Sequence, residues 1–207
     1  MPESPSFYPA LRASISTIMP AAPRTVTFAS TNENKFVEAR DILSSLGISV
    51  DFARVNLVEV QSDSLEEIAR EKAKSAFAQI CRPAIVEDDG LFVNALGGFP
   101  GPYSSYVFQT IGNEGLLKLL EGKDDRTASF RSVVAYFDGS TLSISEGIAE
   151  GSISKVETDG GWGYDPVFIP DGSMLTFAQL KSDKKKFSHR KKGLEKFAKW
   201  LLPLAPK

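Results

Sequence analysis

The feature that most limits how this chain can fold is an apolar run driving directly into three acids and a glycine, Ala84-Ile85-Val86-Glu87-Asp88-Asp89-Gly90. Ala84 to Val86 has the character of a short buried strand, and the acids sit where such a strand emerges at the edge of a sheet. Adjacent carboxylates repel one another. The run is therefore either an acidic, solvated turn or a place where a divalent cation offsets the charge. In an open α/β sheet the carboxyl ends of the strands are the usual place for a ligand.

At 207 residues the chain is long enough for one sizeable core, as one domain or one domain with two lobes. Its net charge of -2, from 24 basic and 26 acidic side chains, gives no global attraction to nucleic acid or anionic membranes. Any phosphate binding must be local. The single cysteine, Cys81, excludes an intrachain disulfide and a cysteine-based zinc site, and fits a reducing, cytoplasmic setting. No apolar run approaches the ~20 residues that span a bilayer. Residues 1–23 are rich in Pro, Ser and Ala with Arg12 as their only basic side chain. They read as a mobile tail with Met19 as an alternative start, ahead of a single two-lobed domain over 24–207.

The pattern predicts a strand at Thr25 to Ala29, a polar cap at Ser30-Thr31-Asn32, and a helix from Glu33 to Leu46 that Gly47 stops. A second strand is expected over Ile48 to Val55 and a polar loop holding Glu59 over Leu57 to Ser64. A second helix follows over Leu65 to Ile80, and then the Ala84 strand. Leu91 to Leu96 reads as an extension of the sheet, Gly97 to Pro102 as a stiff turn, and Tyr103 to Thr110 and Asn113 to Leu120 as helices. Ala128 to Phe137 and Thr141 to Ala149 are strand-like and joined at Asp138-Gly139, a tight-hairpin signal. The glycine-rich loop Gly160 to Pro166 leads into Val167 to Ile169, and Phe187 to Leu202 closes the chain as a helix. The order β-α-β-α-β, then hairpin, then helix predicts an α/β fold: a mixed twisted central sheet flanked by helices, with two lobes and a cleft between them.

Several groups in this frame can do chemistry. Ser30-Thr31-Asn32 before Lys35 forms either an ordinary helix cap or a phosphate site made of free N–H groups and a lysine. It lacks the glycines of a Walker loop. Lys72 lies in an apolar helical stripe, so its ammonium either snorkels to solvent or enters a cleft, which Glu59 can also reach. The run Lys181 to Lys192 holds the only histidine, His189, beside Arg190 and behind Ser188, a suitable cap. Basic residues at a helix start oppose the helix dipole, and a bound anion would offset that cost. Trp162 and Tyr164, among Gly160, Gly161 and Gly163, either stack on a base or pack a hairpin corner. Asp165 either accepts from a base edge or makes an Asx turn.

Together these segments resemble the inosine triphosphate pyrophosphatase family over about Val26 to Leu202. The matching motifs are STNENK, VEDDGLFVNALGGFPGPY, GWGYDPVF and KSDKKKFSHR. The resemblance implies a Mg²⁺-dependent hydrolase, with Mn²⁺ as a substitute, that splits ITP, dITP or XTP between the α and β phosphorus atoms. By similarity, Ser30, Thr31, Asn32 and Lys35 would hold the triphosphate, with Lys72 reaching it, and Glu59, Glu87 and Asp88 would lie at the metal. Asp88 matches the general base that deprotonates water. Trp162 stands where an aromatic stacks on the purine, Gly163, Tyr164 and Asp165 fall in its binding loop, and Lys184, His189 and Arg190 would read the 6-keto edge or grip phosphate. A homodimer is also implied. One departure is that many bacterial members have Asp-Asp-Ser-Gly, whereas Asp89 here replaces the serine and adds a charge. Period-two alternation from Val86 puts Asp88 on the face opposite Glu87, which favours Asp88 as the base. Two other readings are a septum-inhibition-protein-type pyrophosphatase for modified pyrimidine nucleotides, against which GWGYDP and SHR argue, and a nucleotide-binding module without turnover.

Overall fold

A computed structural model describes residues 24–202. The expected tail at 1–23, with Met19, lies outside the described residues, as do 203–207. One seven-stranded mixed sheet runs in the order β2 (Ile48–Ala53), β1 (Arg24–Ala29), β3 (Ala84–Val93), β5 (Thr127–Phe137), β6 (Leu142–Ile153), β7 (Phe168–Pro170), with the short β4 (Pro100–Gly101) paired to β3. β1 is parallel to β2 and β3, whereas β3, β5, β6 and β7 are successively antiparallel. Among the described residues six α-helices complete the fold: α1 (Glu33–Ser45), α2 (Leu65–Ile80), α3 (Ser104–Thr110), α4 (Gly112–Leu119), α5 (Phe177–Leu180) and α6 (His189–Leu201). Of these, none is long and apolar enough to cross a membrane.

Side-chain alternation along the strands divides the core. In the first lobe one sheet face carries Phe28, Ile85 and Val134 against α1 and α6, through Leu43, Leu194 and Phe197. The other face carries Ala84, Val86 and Val133 against the small residues Ala69, Ala73 and Ala76 of α2. The second lobe reuses the far ends of the same long strands. Leu91 and Val93 of β3 and Phe130 of β5 pack there with Leu116, Val167, Phe168 and Phe177. β3 thus begins in one core and ends in the other, and Glu87, Asp88 and Asp89 lie where it passes between them.

That placement corrects the expected sheet-edge turn. β3 pairs with β5 residue by residue from Ala84↔Phe137 to Val93↔Ala128, so the acids are strand interior. The strand tolerates them because cations reach it from both faces, as described below. The expected sheet extension holds only to Val93, and Asn94–Leu96 is a short 3₁₀ turn. Gly90 is explained by close approach, because a Cβ there would press on the backbone carbonyl of Gly101 in the paired β4. The first half of the basic run, Lys181–Lys186, forms a 3₁₀ turn between α5 and α6.

A second close approach holds α6 to the sheet. A Cβ on Gly147 of β6 would collide with the carbonyl oxygen of His189 and the amide nitrogen of Gly193, and would lie 2.9 Å from Cβ of Lys192. Backbone atoms at both ends of the contact leave little room for adjustment. Gly147→Ala is expected to cost about 1–3 kcal/mol by overpacking. The reading is a lower urea midpoint at unchanged m-value; an unchanged midpoint would remove this account of the α6 docking.

Candidate active site

Alternation along β3 assigns each acid its partner. Asp88 shares the face of Val86 and meets α2, where Nζ of Lys72 lies 3.0 Å from its Oδ1 and 2.8 Å from Oε1 of Glu59. Glu87 and Asp89 share the face of Ile85 and meet α1 and α6. Oε2 of Glu87 accepts from Nε of Arg190 at 2.7 Å, and its Oε1 accepts from the hydroxyl of Ser132 at 2.6 Å. Asp89 lies 2.9 Å from Nζ of Lys35 and 2.6 Å from Nη2 of Arg190. The third edge of the guanidinium donates to Glu38.

Arg190 is 1% exposed, and three carboxylates surround it. Ser188 caps α6 as its position predicted, accepting from the amide of Lys191. The anion that was expected to offset the basic helix start is supplied by the protein itself, from β3 and α1. Beside Arg190, His189 is buried and stacks on Phe130 with ring centroids 4.3 Å apart. Neither of its ring nitrogens has a hydrogen-bond partner among the described residues.

Burial would raise the carboxyl of Asp89, but Lys35 and then Arg190 outweigh it and hold the group far below the usual carboxylate range. Burial likewise opposes the charge on Lys35, and Asp89, followed by Glu87, keeps that ammonium above its ordinary value. Asp88 goes the other way: its burial outweighs Lys72 and Lys35, and its carboxyl is pushed up. His189 is pushed well below its ordinary value by burial and by the Arg190 charge, against the pull of Asp89, so its imidazole is neutral.

These groups line a cleft of about 730 Å³ between the lobes. Its wall brings together Ser30, Thr31, Asn32, Lys35, Glu59, Lys72, Glu87, Asp88, Trp162, Gly163, Tyr164, Asp165, His189 and Arg190, nearly every residue singled out in the sequence. Lys184, the remaining one, is 2.7 Å from Oδ2 of Asp165 and stands over the rings of Trp162 and Phe177. The cap alternative at the first motif is realised, with Asn32 accepting from the Lys35 amide and Ser30 from the Asn32 amide. Tyr164 takes the packing alternative: it is 3% exposed, sits edge-on to Phe108 and Phe130, and donates to the carbonyl of Ser104. Burial raises its phenol strongly. Asp165 binds Lys184 through its carboxylate, and burial pushes that carboxyl up against the lysine. Glu87 is the predicted residue that stands apart from its companions, since it faces away from Asp88 and Glu59 with both oxygens engaged by Arg190. Among the described residues, no three acidic, histidine or cysteine side chains converge as a metal cage.

Sequence reading missed Glu38, which accepts from Nε1 of Trp162 at 3.3 Å and from Arg190, and lies 3.7 Å from Nζ of Lys184. Its available signal was an acid one turn beyond Lys35 on the same helix. Arg190 and then Lys184 hold its carboxyl below the usual value despite burial. Asn113 was missed as well. Its Nδ2 donates to the carbonyl of Gly163 and to Glu157, tying the aromatic loop to α4.

Comparison with known proteins places the chain among Ham1 proteins. The sequence profile of the Ham1 family matches residues 26–200. A dITP/XTP pyrophosphatase of Hyperthermus butylicus is 48% identical over 185 residues, covering 88% of this chain and 97% of its own. A protein of the same name from Methanopyrus kandleri is 49% identical over 178 residues, covering 84% and 95%. Among solved structures, a HAM1 protein from Coxiella burnetii superimposes with a TM-score of 0.76 at 30% identity, covering 87% of this chain and 99% of that one. The Staphylococcus aureus Ham1 protein gives a TM-score of 0.74 at 27% identity, covering 86% and 100%.

Two outcomes follow from the electrostatics. Arg190→Met leaves Glu87 buried without its cation and is expected to destabilise the fold by about 3–5 kcal/mol, read by urea unfolding. A loss below about 1 kcal/mol would mean that water replaces the guanidinium. For His189 the folded pKa is depressed, so below about pH 6.5 the unfolded chain takes a proton that the folded chain refuses. Stability is therefore lost as pH falls from that point, by up to about 1.4 kcal/mol per pH unit. The slope of unfolding midpoint against pH just below 6.5 should flatten in His189→Gln; an identical slope in both proteins would place the proton elsewhere.

Proposed function

The chain belongs to the Ham1 family, and we propose that it is a nucleoside triphosphate pyrophosphohydrolase acting on dITP, XTP and ITP, releasing the monophosphate and pyrophosphate with Mg²⁺ as cofactor. The observation that carries this reading is the division of labour on β3. Asp88 faces Lys72 and Glu59 on one side, while Glu87 is spent on holding Arg190 on the other.

The charges of the cleft fit a metal. Glu59, Glu87, Asp88, Asp89 and Asp165 face Lys35, Lys72 and Arg190, so carboxylates outnumber cations and a bare triphosphate would be repelled. Mg²⁺ is commonly held by one or two carboxylates plus substrate phosphates, and Glu59 and Asp88, already sharing one ammonium, are the pair suited to it. When bound it would draw negative charge from the phosphate oxygens during bond breaking. The protein's own groups account for the rest. Asp88, in its ionised form, accepts a proton from the attacking water; burial pushes its carboxyl up, which makes it the stronger base, and Lys72 beside it opposes that shift. Lys35 and Lys72 approach the triphosphate from opposite faces of β3 and neutralise charge on the departing pyrophosphate.

Base selection falls to the loop after β6. Trp162 offers an indole braced by Glu38, with Lys184 and Arg190 over its ring. The neutral His189, whose ring nitrogens are both unpaired among the described residues, lies at the cleft wall and can give a hydrogen bond to a 6-keto oxygen. A 6-amino group presents hydrogen where that donor needs an acceptor, and such a mismatch is worth orders of magnitude.

The test is a panel of ITP, dITP, XTP, ATP, GTP and modified pyrimidine triphosphates, with pyrophosphate and orthophosphate assayed separately in Mg²⁺ and in chelator. Pyrophosphate as the first product, preference for the 6-keto purines over ATP, and loss of turnover in chelator are expected. Asp88→Asn should lower kcat by about 10²–10⁴-fold with folding retained. Orthophosphate first, equal use of ATP and ITP, or near-normal turnover in that variant would refute the assignment.

A further inference from the structure

Asp89 is the charge that the proposed reaction does not use. It departs from the Asp-Asp-Ser-Gly pattern, and its side chain, 18% exposed, is the more open of the two acids on its face, Glu87 being 1% exposed. Arg190 is anchored without it, since Glu87 occupies its Nε edge and Glu38 its Nη1 edge. Lys35 has no such reserve. Asp89, at 2.9 Å, is its one ion-pair partner among the described residues. Lys35 and Asp89 both line the cleft, so an anion arriving at that ammonium meets a carboxylate already bound there.

We propose that Asp89 is a resident counter-anion of the phosphate site. It holds Lys35 while the cleft is free of nucleotide, phosphate takes its place on the ammonium when substrate binds, and it recaptures Lys35 as pyrophosphate leaves. This role rests on the functional reading above. Its physical consequence is a site that binds anionic product weakly, because each binding event must break an ion pair of 2.9 Å before making a new one. A serine in this place would supply a hydroxyl but no competing charge. Asp89 acts through Lys35 and is a positioning residue, not a catalytic one.

The test compares wild type with Asp89→Asn, which keeps the shape and removes the charge, and with Asp89→Ser, which carries the test if the first variant folds poorly. Inorganic pyrophosphate is titrated calorimetrically in metal-free buffer, and its inhibition of ITP turnover is measured in Mg²⁺. The variants should bind pyrophosphate about tenfold tighter, a gain of ~1.4 kcal/mol, with KM for ITP and kcat both lowered as release slows. Damage to the site weakens binding and cannot tighten it, so the sign of the change separates this role from a structural one. Equal or weaker pyrophosphate binding in the folded variants overturns the proposal. If ITP is hydrolysed to pyrophosphate and the affinity does not rise, the counter-anion fails and the functional reading stands. If the affinity rises although wild type does not turn ITP over, the functional reading fails and the counter-anion stands.

Discussion

Three consecutive carboxylates can pass through the middle of a sheet only if both of its faces supply cations. β3 meets that condition by alternation: Asp88 points to Lys72 on α2, whereas Glu87 and Asp89 point to Arg190 on α6 and Lys35 on α1. Each helix of the first lobe that packs on β3 is therefore also tied to it by charge. The pairs are costly to desolvate, so they define where the helices sit more than they add to stability. The tie to α6 is the tightest, because the guanidinium is buried and held by three carboxylates, two from β3 and one from α1.

The cleft inherits its position from the same strand. β3 and β5 are long enough to serve two cores, and the polar residues at their waist cannot join either one. Ser132 on β5 is part of that waist and is spent on Glu87. Around it the lobes contribute different chemistry: lysines and carboxylates from β3, α1 and α2 on one side, and aromatic surface with Lys184 from the β6–α5 region on the other. A ligand carrying both phosphates and a flat ring matches this division. The aromatic loop is held at a fixed height by Asn113 and by the phenol of Tyr164, so the two halves of the site keep their spacing.

Much of this was legible along the chain. Hydrophobic period and capping residues located β1, α1, α2 and α6 to within a few residues, and four spaced motifs, with Glu59 and Lys72 beside them, named many of the side chains that line the cleft. What misled was local context. Read from neighbours alone, Glu87-Asp88-Asp89-Gly90 is an acidic turn, since nothing nearby in sequence neutralises it; its cations come from residues 35, 72 and 190. Likewise Tyr164 looks like a partner of Trp162 by spacing, yet at the wall that both border Tyr164 is buried against Phe130 whereas Trp162 is only partly buried.

The sequence by itself determined where the main strands and helices fall, that any phosphate binding would have to be local, and which residue types gather in the cleft, because these follow from periodicity, composition and motif spacing. Only the tertiary structure decided which partner each acid meets. Glu87 and Asp88 are adjacent and chemically near-identical, but opposite faces of one strand give the first to a buried arginine and leave the second facing Lys72 and Glu59. The same holds for Glu38, an ordinary helix acid until the fold brings Trp162, Lys184 and Arg190 to it. Roles of this kind depend on which charges meet across long sequence distances, and that is information a linear pattern does not carry.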